Sequence, residues 1–306
     1  MIDILLATYN GEKYIDTQIS SIVNQTYSDW KLYIHDDGSS DGTRSLIKKW
    51  CKLDNRIFFV DDGIFFHNPA ENFMHLLPYS TSEYVCFADQ DDYWLEYKLE
   101  RMIESFGNNS CAKLLVSSCF LWNTEKGTII QKPLFTRAFC LEEFLFLNGG
   151  LQGCAMLFNA ELRKIALKKS VDYTYMHDHF ISLVAFTFGS VMYMNEPLFL
   201  YRQYEGNASV HIEESKIARV KQVASNTDVP IIYSPAYKGI KAFYEAYKSE
   251  LSEISKKLLS DYLKLPSLRF WKRFFKLSSS RFSLGHNGKL KLLLKLFLRP
   301  FCSEEF

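Results

Sequence analysis

The feature that most constrains the fold is a regular alternation of strand-like and helix-like segments over the first hundred residues. Short apolar runs predict strands, and the segments between them place apolar residues at helical spacing. Strands that alternate with helices form a parallel sheet with helices on its faces. The pattern therefore predicts an α/β fold with a Rossmann-like, mostly parallel central sheet. The predicted strands are 2–7, 32–35, 57–60 and 84–88, and the predicted helices lie within 11–24, 41–51, 72–77 and 95–106.

The second half is less regular. Strands are predicted at 114–118, 154–158, 191–194 and 198–201, and helices at 141–147, 160–168 and 177–186. From about residue 212 the pattern is helical and increasingly basic. We therefore expect a catalytic domain over residues 1–210 and a helical C-terminal region with a basic amphipathic tail over residues 211–306.

Composition excludes a disordered chain, because hydrophobic residues make up 47% of the 306 residues. Residues 262–306 hold ten Lys or Arg and two acids, a net charge of +8, which leaves −7 for residues 1–261 out of the total of +1. No apolar stretch reaches the roughly 20 residues that cross a bilayer. The start of the chain lacks the features of a signal peptide, and the seven cysteines form no CxxC pair. A cytoplasmic protein with reduced thiols is expected.

Absent motifs narrow the function. The first predicted strand is not followed by GxGxxG, and the sequence contains no GxxxxGK[ST]. This argues against a dinucleotide oxidoreductase and a P-loop kinase. The sequence also lacks GxSxG and HExxH, the motifs of α/β-hydrolases and of zinc proteases.

Acidic clusters follow two of the predicted strands. Asp36-Asp37 ends the second strand, where a carboxylate can accept the ring N–H of a pyrimidine; an ordinary turn is the alternative. Asp89-Gln90-Asp91-Asp92 follows the fourth strand. Carboxylates spaced i, i+2 on an extended segment suit Mg²⁺ or Mn²⁺, whereas an acidic helix N-terminus would explain the cluster without a metal.

The third cluster is His177-Asp178-His179 at a predicted helix start. A carboxylate there can act as general base on an acceptor hydroxyl. A metal site is less favoured, because residues i and i+2 of a helix point to different faces. A plain polar helix N-terminus, with Asp178 as its cap, remains open.

These segments resemble family 2 glycosyltransferases of GT-A fold. The resemblance rests on ILLATYNGEKYI, SIVNQTYSDWKLYIHDDGSSDGT and YVCFADQDDYWLEYKLE. The later pieces GGLQGCAMLFN, MHDHFISLVAFTFG and LYRQYEGN resemble the bacterial rhamnosyltransferases that build surface polysaccharides. The likeness covers about residues 2–210.

The resemblance implies a role for each matching position. A pyrimidine nucleotide sugar, dTDP- or UDP-linked, would bind at Ala7, Thr8, Tyr9, Glu12, Asp37 and Asp89. Asp91 would hold Mn²⁺ or Mg²⁺ at the diphosphate, and Asp178 would deprotonate a glycan or lipid-linked glycan acceptor. The reaction would be one inverting displacement. Rhamnose is the favoured sugar, with other hexoses and a catalytically silent nucleotide-sugar-binding scaffold as alternatives.

The sequence departs from the family pattern at two places. Tyr204 stands where relatives often carry the histidine of YRQH, and a phenol cannot replace an imidazole ligand; His211 is a speculative substitute. Cys119 stands near where relatives often carry an Asp after the fifth strand, which leaves donor and acceptor preference open.

The basic tail, residues 268–301, interleaves Lys and Arg with Phe, Trp and Leu. This pattern favours peripheral contact with a membrane, at the inner face where a polyprenyl-linked acceptor would lie. A helical pair with a solvated basic face is the structural alternative. Nucleic acid is not expected as a partner, given the acidic body.

Overall fold

The computed structural model describes residues 1–107, 111–132, 137–149, 151–204, 229–284 and 288–302, with the backbone alone for residues 131 and 132. The chain divides into two compact units. The first comprises Met1–Phe135, Leu151–Lys168 and Met176–Ala208, and the second comprises Thr136–Gly150, Lys169–Tyr175 and Ser209–Phe306. The expected boundary near residue 210 and His211 both lie outside the described residues, so the division into 1–210 and 211–306 stays a prediction.

The first unit is a mixed α/β sheet flanked by helices, which confirms the predicted fold class. Its strands follow the order β3-β2-β1-β4-β8-β6-β9-β5, with β7 paired to β6. The strands are β1 Ile2–Thr8, β2 Trp30–Asp36, β3 Ile57–Val60, β4 Tyr84–Ala88, β5 Tyr93–Trp94, β6 Lys113–Asn123, β7 Thr128–Lys132, β8 Met156–Asn159 and β9 Ser190–Gln203. The helices are α1 Ile15–Val23, α2 Thr43–Leu53, α3 Pro69–Leu76, α4 Lys98–Phe106, α6 Ala160–Ala166 and α7 His177–Phe188.

Strands β3, β2, β1 and β4 pair in parallel, as the alternating pattern predicts. Every residue of β1 is buried, as befits a central parallel strand covered on both faces. The second half adds antiparallel pairs, β4 with β8 and β6 with β8, beside the long parallel pair of β6 and β9. The carboxyl ends of β1, β2 and β4 therefore meet at one edge, where α/β sheets bind ligands.

Asp41 contacts the first turn of α2 from just before the helix. Its carboxylate accepts a hydrogen bond from the first-turn N–H of Thr43 at 3.1 Å, although Gly42 occupies the N-cap position itself. Asp41 also accepts the N–H of Glu12 at 3.1 Å. The same carboxylate thus starts α2 and holds the loop that leaves β1.

The second unit is helical in its described part. It contains α5 Leu141–Phe144, α8 Ser234–Tyr247, α9 Glu253–Lys264, α10 Phe270–Ser279 and α11 Lys289–Leu298. Its core includes Phe243, Tyr247, Tyr262 and Phe282. Backbone N–H groups of Ile231 and Ile232 bond to the carbonyls of Pro300 and Phe301, so the chain after α11 is part of this unit. Across the described residues, no helix of either unit is long and apolar enough to span a bilayer.

Candidate active site

The loop after β1 is held by a side chain from the loop after β4. The Gln90 Oε1 accepts hydrogen bonds from the Thr8 hydroxyl at 2.7 Å and from the Tyr9 N–H at 2.9 Å. Its Nε2 donates to the Tyr9 carbonyl at 3.1 Å. Ala7 and Thr8 are buried, whereas the ring of Tyr9 is 51% exposed and free to meet a ligand. The backbone of this loop is thereby fixed before any ligand binds.

Glu12 joins the same loop to the turn between β2 and α2. Its carboxylate accepts the Gly42 N–H at 2.9 Å, and a Cβ on Gly42 would collide with that carboxylate. Asn10 adopts a positive φ of 46° and accepts the Ser40 N–H at 2.9 Å. The residues expected to line a nucleotide therefore lie on one interconnected pair of loops.

Asp37 is 3% exposed and already has backbone partners. Its carboxylate accepts the N–H groups of Phe66 and Asn68, the latter at 2.9 Å. Gly38 follows with a φ of 85°, in the region that glycine adopts at little cost. Asp37 thus holds a distant segment rather than its own turn, where Asp36 accepts the Ser39 N–H at 2.9 Å. The contact of Asp37 with a pyrimidine remains a prediction.

The acidic segment after β4 forms a turn through Gln90 and Asp91, so our expectation of an extended segment was wrong. β5 follows at once and pairs with β9, which requires the chain to reverse there. The turn brings one ligand atom each of Asp89, Asp92 and Cys154 within 4.8 Å of one another. Asp89 and Asp91 are half-buried and Asp92 is fully buried. We call residues 89–92 the acidic turn.

Burial raises the pKa of all three carboxyls of the acidic turn, and their mutual repulsion adds to the shift for two of them. The pKa of Asp89 rises to about 6 through burial and the nearby charge of Asp91. That of Asp92 rises through burial, Asp89 and Asp91. Burial also raises the pKa of Asp91, against the hydrogen bond from Tyr204. One oxygen of Asp92 is buried with no hydrogen-bond partner.

Lys98 is the buried cation beside the acidic turn. Its ammonium donates to the Cys154 carbonyl at 2.6 Å and lies 3.9 Å from the centre of the Trp94 ring. Burial lowers the pKa of Lys98, while the charges of Asp92 and Asp89 act to raise it. Burial raises the pKa of the Cys154 thiol well above its usual value. Residues 89–92 themselves offer carboxylate and carbonyl oxygen atoms as ligands.

Residues from the end of β9 hold Asp91. The Tyr204 hydroxyl donates to Asp91 Oδ2 at 2.9 Å, and the Arg202 Nε donates to the Asp91 carbonyl at 2.7 Å. The Arg202 guanidinium lies 4.0 Å from the Trp122 ring centre and 4.9 Å from that of Tyr14. Cation–π contacts with these two rings help to hold the guanidinium in place.

Asp178 lies in the first turn of α7 and accepts the N–H of His179 at 2.6 Å. Burial and the charge of Asp89 raise its pKa to about 7. A Cβ on Gly153 would lie 3.4 Å from Asp178 Cβ and 2.6 Å from the His177 Nε2, so only glycine fits this contact. Gly153 and Cys154 belong to one turn, Gly153–Ala155, which lies between Asp178 and the acidic turn.

His177 and His179 do not form a metal pair with Asp178. His177 is buried and stacks on Phe73 with the ring centres 3.9 Å apart. Burial lowers the pKa of His177 to about 3 and that of His179 to about 4, so both are neutral packing groups at pH 7.

The sequence alone indicated no role for Gln90, Lys98 or Cys154. Tyr204 was noticed only because it replaces an expected histidine. The position of Gln90 inside the acidic cluster 89–92 indicated that it lies near the site. Its hydrogen-bond partners could not be predicted, because they are 81 and 82 residues away in the sequence. Cys119 was expected just after a strand ending at Ser118. It lies inside β6, because that strand continues to Asn123.

The sequence model of glycosyl transferase family 2 matches residues 3–164. This is more than half of the chain, and the chain belongs to that family.

Three bacterial relatives give the range of named activities. The dTDP-rhamnosyl transferase RfbG of Shigella flexneri is 29% identical over 216 residues, 66% of this chain and 72% of its own. TuaG of Bacillus subtilis, named as a teichuronic acid biosynthesis glycosyltransferase, is 32% identical over 37% of this chain and 44% of its own. WfgD of Escherichia coli, a UDP-Glc:alpha-D-GlcNAc-diphosphoundecaprenol beta-1,3-glucosyltransferase, is 33% identical over 36% of this chain and 42% of its own. The match to TuaG and WfgD thus spans less than half of those proteins.

Solved structures share the fold. Staphylococcus aureus TarS 1-349 in complex with UDP superposes with a TM-score of 0.57 at 15% identity, over 92% of this chain and 75% of its own. The mannosyltransferase PcManGT of Pyrobaculum calidifontis, in complex with GDP-Man and Mn²⁺, gives 0.54 at 15% identity, over 91% of this chain and 74% of its own.

Proposed function

We propose that this chain is an inverting glycosyltransferase that moves a sugar from a pyrimidine nucleoside diphosphate to a hydroxyl of a glycan acceptor. The observation that carries the proposal is the position of Asp178 next to the Gly153–Ala155 turn, whose Cys154 contacts the acidic turn. A carboxylate that can take a proton thus lies beside carboxylates that can hold a diphosphate through a cation.

Asp178 has the properties of a general base. Its pKa of about 7 means that a large fraction is ionised at neutral pH, yet the carboxylate is basic enough to take a hydroxyl proton. In the proposed reaction the acceptor oxygen loses its proton to Asp178 and attacks the anomeric carbon. The bond from that carbon to the nucleoside diphosphate breaks on the opposite side, which inverts the configuration in one step.

The acidic turn fits a divalent cation. Burial disfavours the charged forms of three neighbouring carboxyls, and one buried oxygen of Asp92 has no hydrogen-bond partner. A cation at this place would favour the ionised carboxylates. Hard oxygen ligands suit Mn²⁺ or Mg²⁺. Asp91 would hold the cation, with Asp89 toward the ribose or sugar. When bound, the cation would neutralise charge on the departing diphosphate.

In the proposed reaction the nucleotide sugar donor binds at the loops after β1 and β2. Ala7, Thr8 and Tyr9 lie on a backbone fixed by Gln90, and the half-exposed Tyr9 ring offers a face for a base. Glu12 and Asp37 lie on the connected loops. The likeness to RfbG, a dTDP-rhamnosyl transferase, supports dTDP-rhamnose as the first candidate donor of this chain. The likeness to WfgD, which is named for UDP-Glc, supports a hexose such as glucose, galactose or N-acetylglucosamine as the second candidate.

A thermal stability and turnover panel tests this function. The purified chain is heated with UDP- and dTDP-sugars, with and without Mn²⁺, and a donor held at a hundred times its Kd adds about 2.7 kcal/mol of stability. We expect one donor to give a metal-dependent shift that Asp91→Ala abolishes. Asp178→Asn should keep the shift and lose about 10²–10⁴ in turnover. A donor shift without turnover in the native chain would favour the silent scaffold, and no shift with any donor would contradict the proposal.

We further propose that helices α10 and α11 contact the inner face of the cell membrane, where a lipid-linked acceptor would be available. Each helix exposes an apolar stripe at helical spacing. Trp271 and Phe275 are 62% and 65% exposed on α10. The stripe on α11 comprises Leu290, Leu294, Phe297 and Leu298. The same helices carry much of the basic charge of the tail, which suits anionic headgroups.

The tail must be tested by substitution, because its deletion would remove the core residues Leu277, Phe282 and Leu292. Trp271→Ser with Phe275→Ser should weaken binding to phosphatidylglycerol vesicles at least tenfold. The control is Ile254→Ser, which changes a 79% exposed apolar residue of α9 in the same unit. Equal binding by both variants and the native chain would contradict the membrane proposal.

A further inference from the structure

A second group of metal-type side chains lies at the start and end of the segment that joins β3 to α3. His35 is in β2, Asp62 follows β3, and His75 is in the last turn of α3. The His35 Nε2 lies 3.3 Å from Asp62 Oδ1, and the His75 Nε2 lies 2.7 Å from Asp62 Oδ2. All three ligand atoms fall within 4.8 Å of one another. None of these residues has a role in the proposed transfer reaction.

The tautomer of His35 favours a cation at this position. Its Nδ1 lies 2.6 Å from the Asn72 Oδ1, and because an amide oxygen only accepts, Nδ1 carries the hydrogen. In the neutral ring the Nε2 then presents a lone pair toward the carboxylate of Asp62. The His35 Nε2 and the Asp62 Oδ1 are then two acceptors that face each other, unless a proton or a metal ion lies between them. The His35 residue is 1% exposed, so solvent hardly reaches it. Metal-binding histidines usually have such an acceptor on the other nitrogen.

The spacing is close to that of a tetrahedral site. Ligand atoms bound at about 2.0–2.1 Å around a tetrahedral ion lie about 3.3 Å apart. The His35–Asp62 distance of 3.3 Å matches this value. The His75 Nε2 lies 2.7 Å from the other carboxylate oxygen, Oδ2, which is a hydrogen-bond distance. His75 must therefore shift relative to Asp62 for both imidazoles and the carboxylate to share one ion. A water can complete the coordination, while the Tyr79 hydroxyl donates to Asp62 Oδ2 at 3.4 Å.

We infer that His35, Asp62 and His75 form a binding site for a Zn²⁺-type transition metal ion, separate in chemistry from the acidic turn. Two imidazoles and one carboxylate select Zn²⁺ over Mg²⁺, whereas the acidic turn offers oxygen ligands for Mn²⁺ or Mg²⁺. Its role is structural. The ion would join β2 to both ends of the segment 62–75, which Asp37 holds in the middle through Phe66 and Asn68.

Metal titration of the full chain tests the site. The chelator-treated protein is titrated with Zn²⁺ by calorimetry and with Co²⁺ by visible absorption. We expect one equivalent to bind with the absorption of tetrahedral Co²⁺, and Zn²⁺ to raise the melting temperature. Asp62→Asn and His75→Ala should weaken binding by at least tenfold. Asp91→Ala should leave this equivalent unchanged.

Two further variants keep the test specific. His67→Asn is the matched control, because His67 is an exposed histidine of the same segment, with a positive φ of 52° that asparagine tolerates. It should bind Zn²⁺ as the native chain does. His75→Cys should retain the ion and add a thiolate-to-Co²⁺ charge-transfer band, which a purely structural histidine would not produce. Equal Zn²⁺ affinity in the native chain and His75→Ala, or no band in a folded His75→Cys, would overturn the inference.

Discussion

The Tyr204 hydroxyl donates a hydrogen bond to Asp91 Oδ2 at 2.9 Å, across 113 residues of sequence. Tyr204 stands where the resemblance to the family leads us to expect a histidine. The phenol thus reaches the carboxylate proposed to hold the cation, although it supplies no imidazole nitrogen. Tyr204 also packs against Tyr14, with the ring centres 4.8 Å apart.

Removing this hydroxyl should weaken the cation site. Tyr204→Phe keeps the ring packing but deletes the donor, and partners that orient a ligand are worth about 10–100-fold in metal affinity. We expect Mn²⁺ affinity, measured by calorimetry, to fall about tenfold. Tyr204→His should bind Mn²⁺ more tightly than Tyr204→Phe, because the imidazole can ligate the ion. Tyr97→Phe, at an exposed tyrosine before α4, is the control; a loss of equal size there would refute the assignment.

Gln90 should be needed for the shape of the donor loop. Gln90→Ala removes three hydrogen bonds to Thr8 and Tyr9, each worth about 0.5–1.5 kcal/mol. We expect the free energy of unfolding to fall by about 1.5–4.5 kcal/mol and the Kd of the donor to rise about tenfold. Gln90→Glu retains the accepting oxygen. Its free energy of unfolding in urea and its Kd for the donor should lie between those of the native chain and those of Gln90→Ala. Native-like donor affinity in Gln90→Ala would show that the loop keeps its shape without this side chain.

Loss of the buried ammonium should destabilise the chain in a pH-dependent way. Lys98→Met removes the buried ammonium that donates to the Cys154 carbonyl and acts through its charge on Asp89 and Asp92. The lost hydrogen bond from a charged group alone costs about 1.5–3 kcal/mol. Asp89 has a raised pKa of about 6, so it takes up a proton as the pH falls through that value. Urea unfolding should therefore show a large loss of stability at pH 8 and a smaller one at pH 5. Equal losses at both pH values would mean that packing alone explains the effect.

Asp178→Asn should stabilise the chain at alkaline pH. The folded pKa of about 7 lies above the unfolded value, so the folded state binds the extra proton between about pH 4 and 7. The stability linked to this proton is fully present at low pH and is lost as the pH rises through 7. The amide carries no charge, so Asp178→Asn should gain up to about 4 kcal/mol at pH 8 and nothing at pH 4. Asp172→Asn, at an exposed carboxyl, should show no such trend.

The fold was predictable where the sequence pattern is local. Strands β3 and β4 match their predicted bounds, because each is a continuous apolar run between polar turns. The predicted strands 191–194 and 198–201 are one strand, β9, because Pro197 pairs with Ser118 at a register shift that accommodates it. Strand β7 was missed, since Thr128, Gln131 and Lys132 break any apolar run.

The candidate site was predictable only in part, because some of its contacts join residues that are far apart in the sequence. Carboxylates at strand ends can be recognised because the ends of parallel strands meet. The groups that hold those carboxylates come from distant elements: Lys98 reaches Cys154 over 56 residues, and Tyr204 reaches Asp91 over 113. No periodicity encodes such pairs.

The two backbone hydrogen bonds to Asp37 bear on how enzymes of this kind change their donor during evolution. A substitution at Asp37 would release Phe66 and Asn68 and loosen the segment between β3 and α3, and under the proposed function it would alter base recognition at the same time. A mutation at Asp37 would therefore lose two functions at once, and single substitutions at this position should rarely be retained. New sugar preferences would therefore arise more readily in the second half of the chain, while the nucleotide end stays fixed.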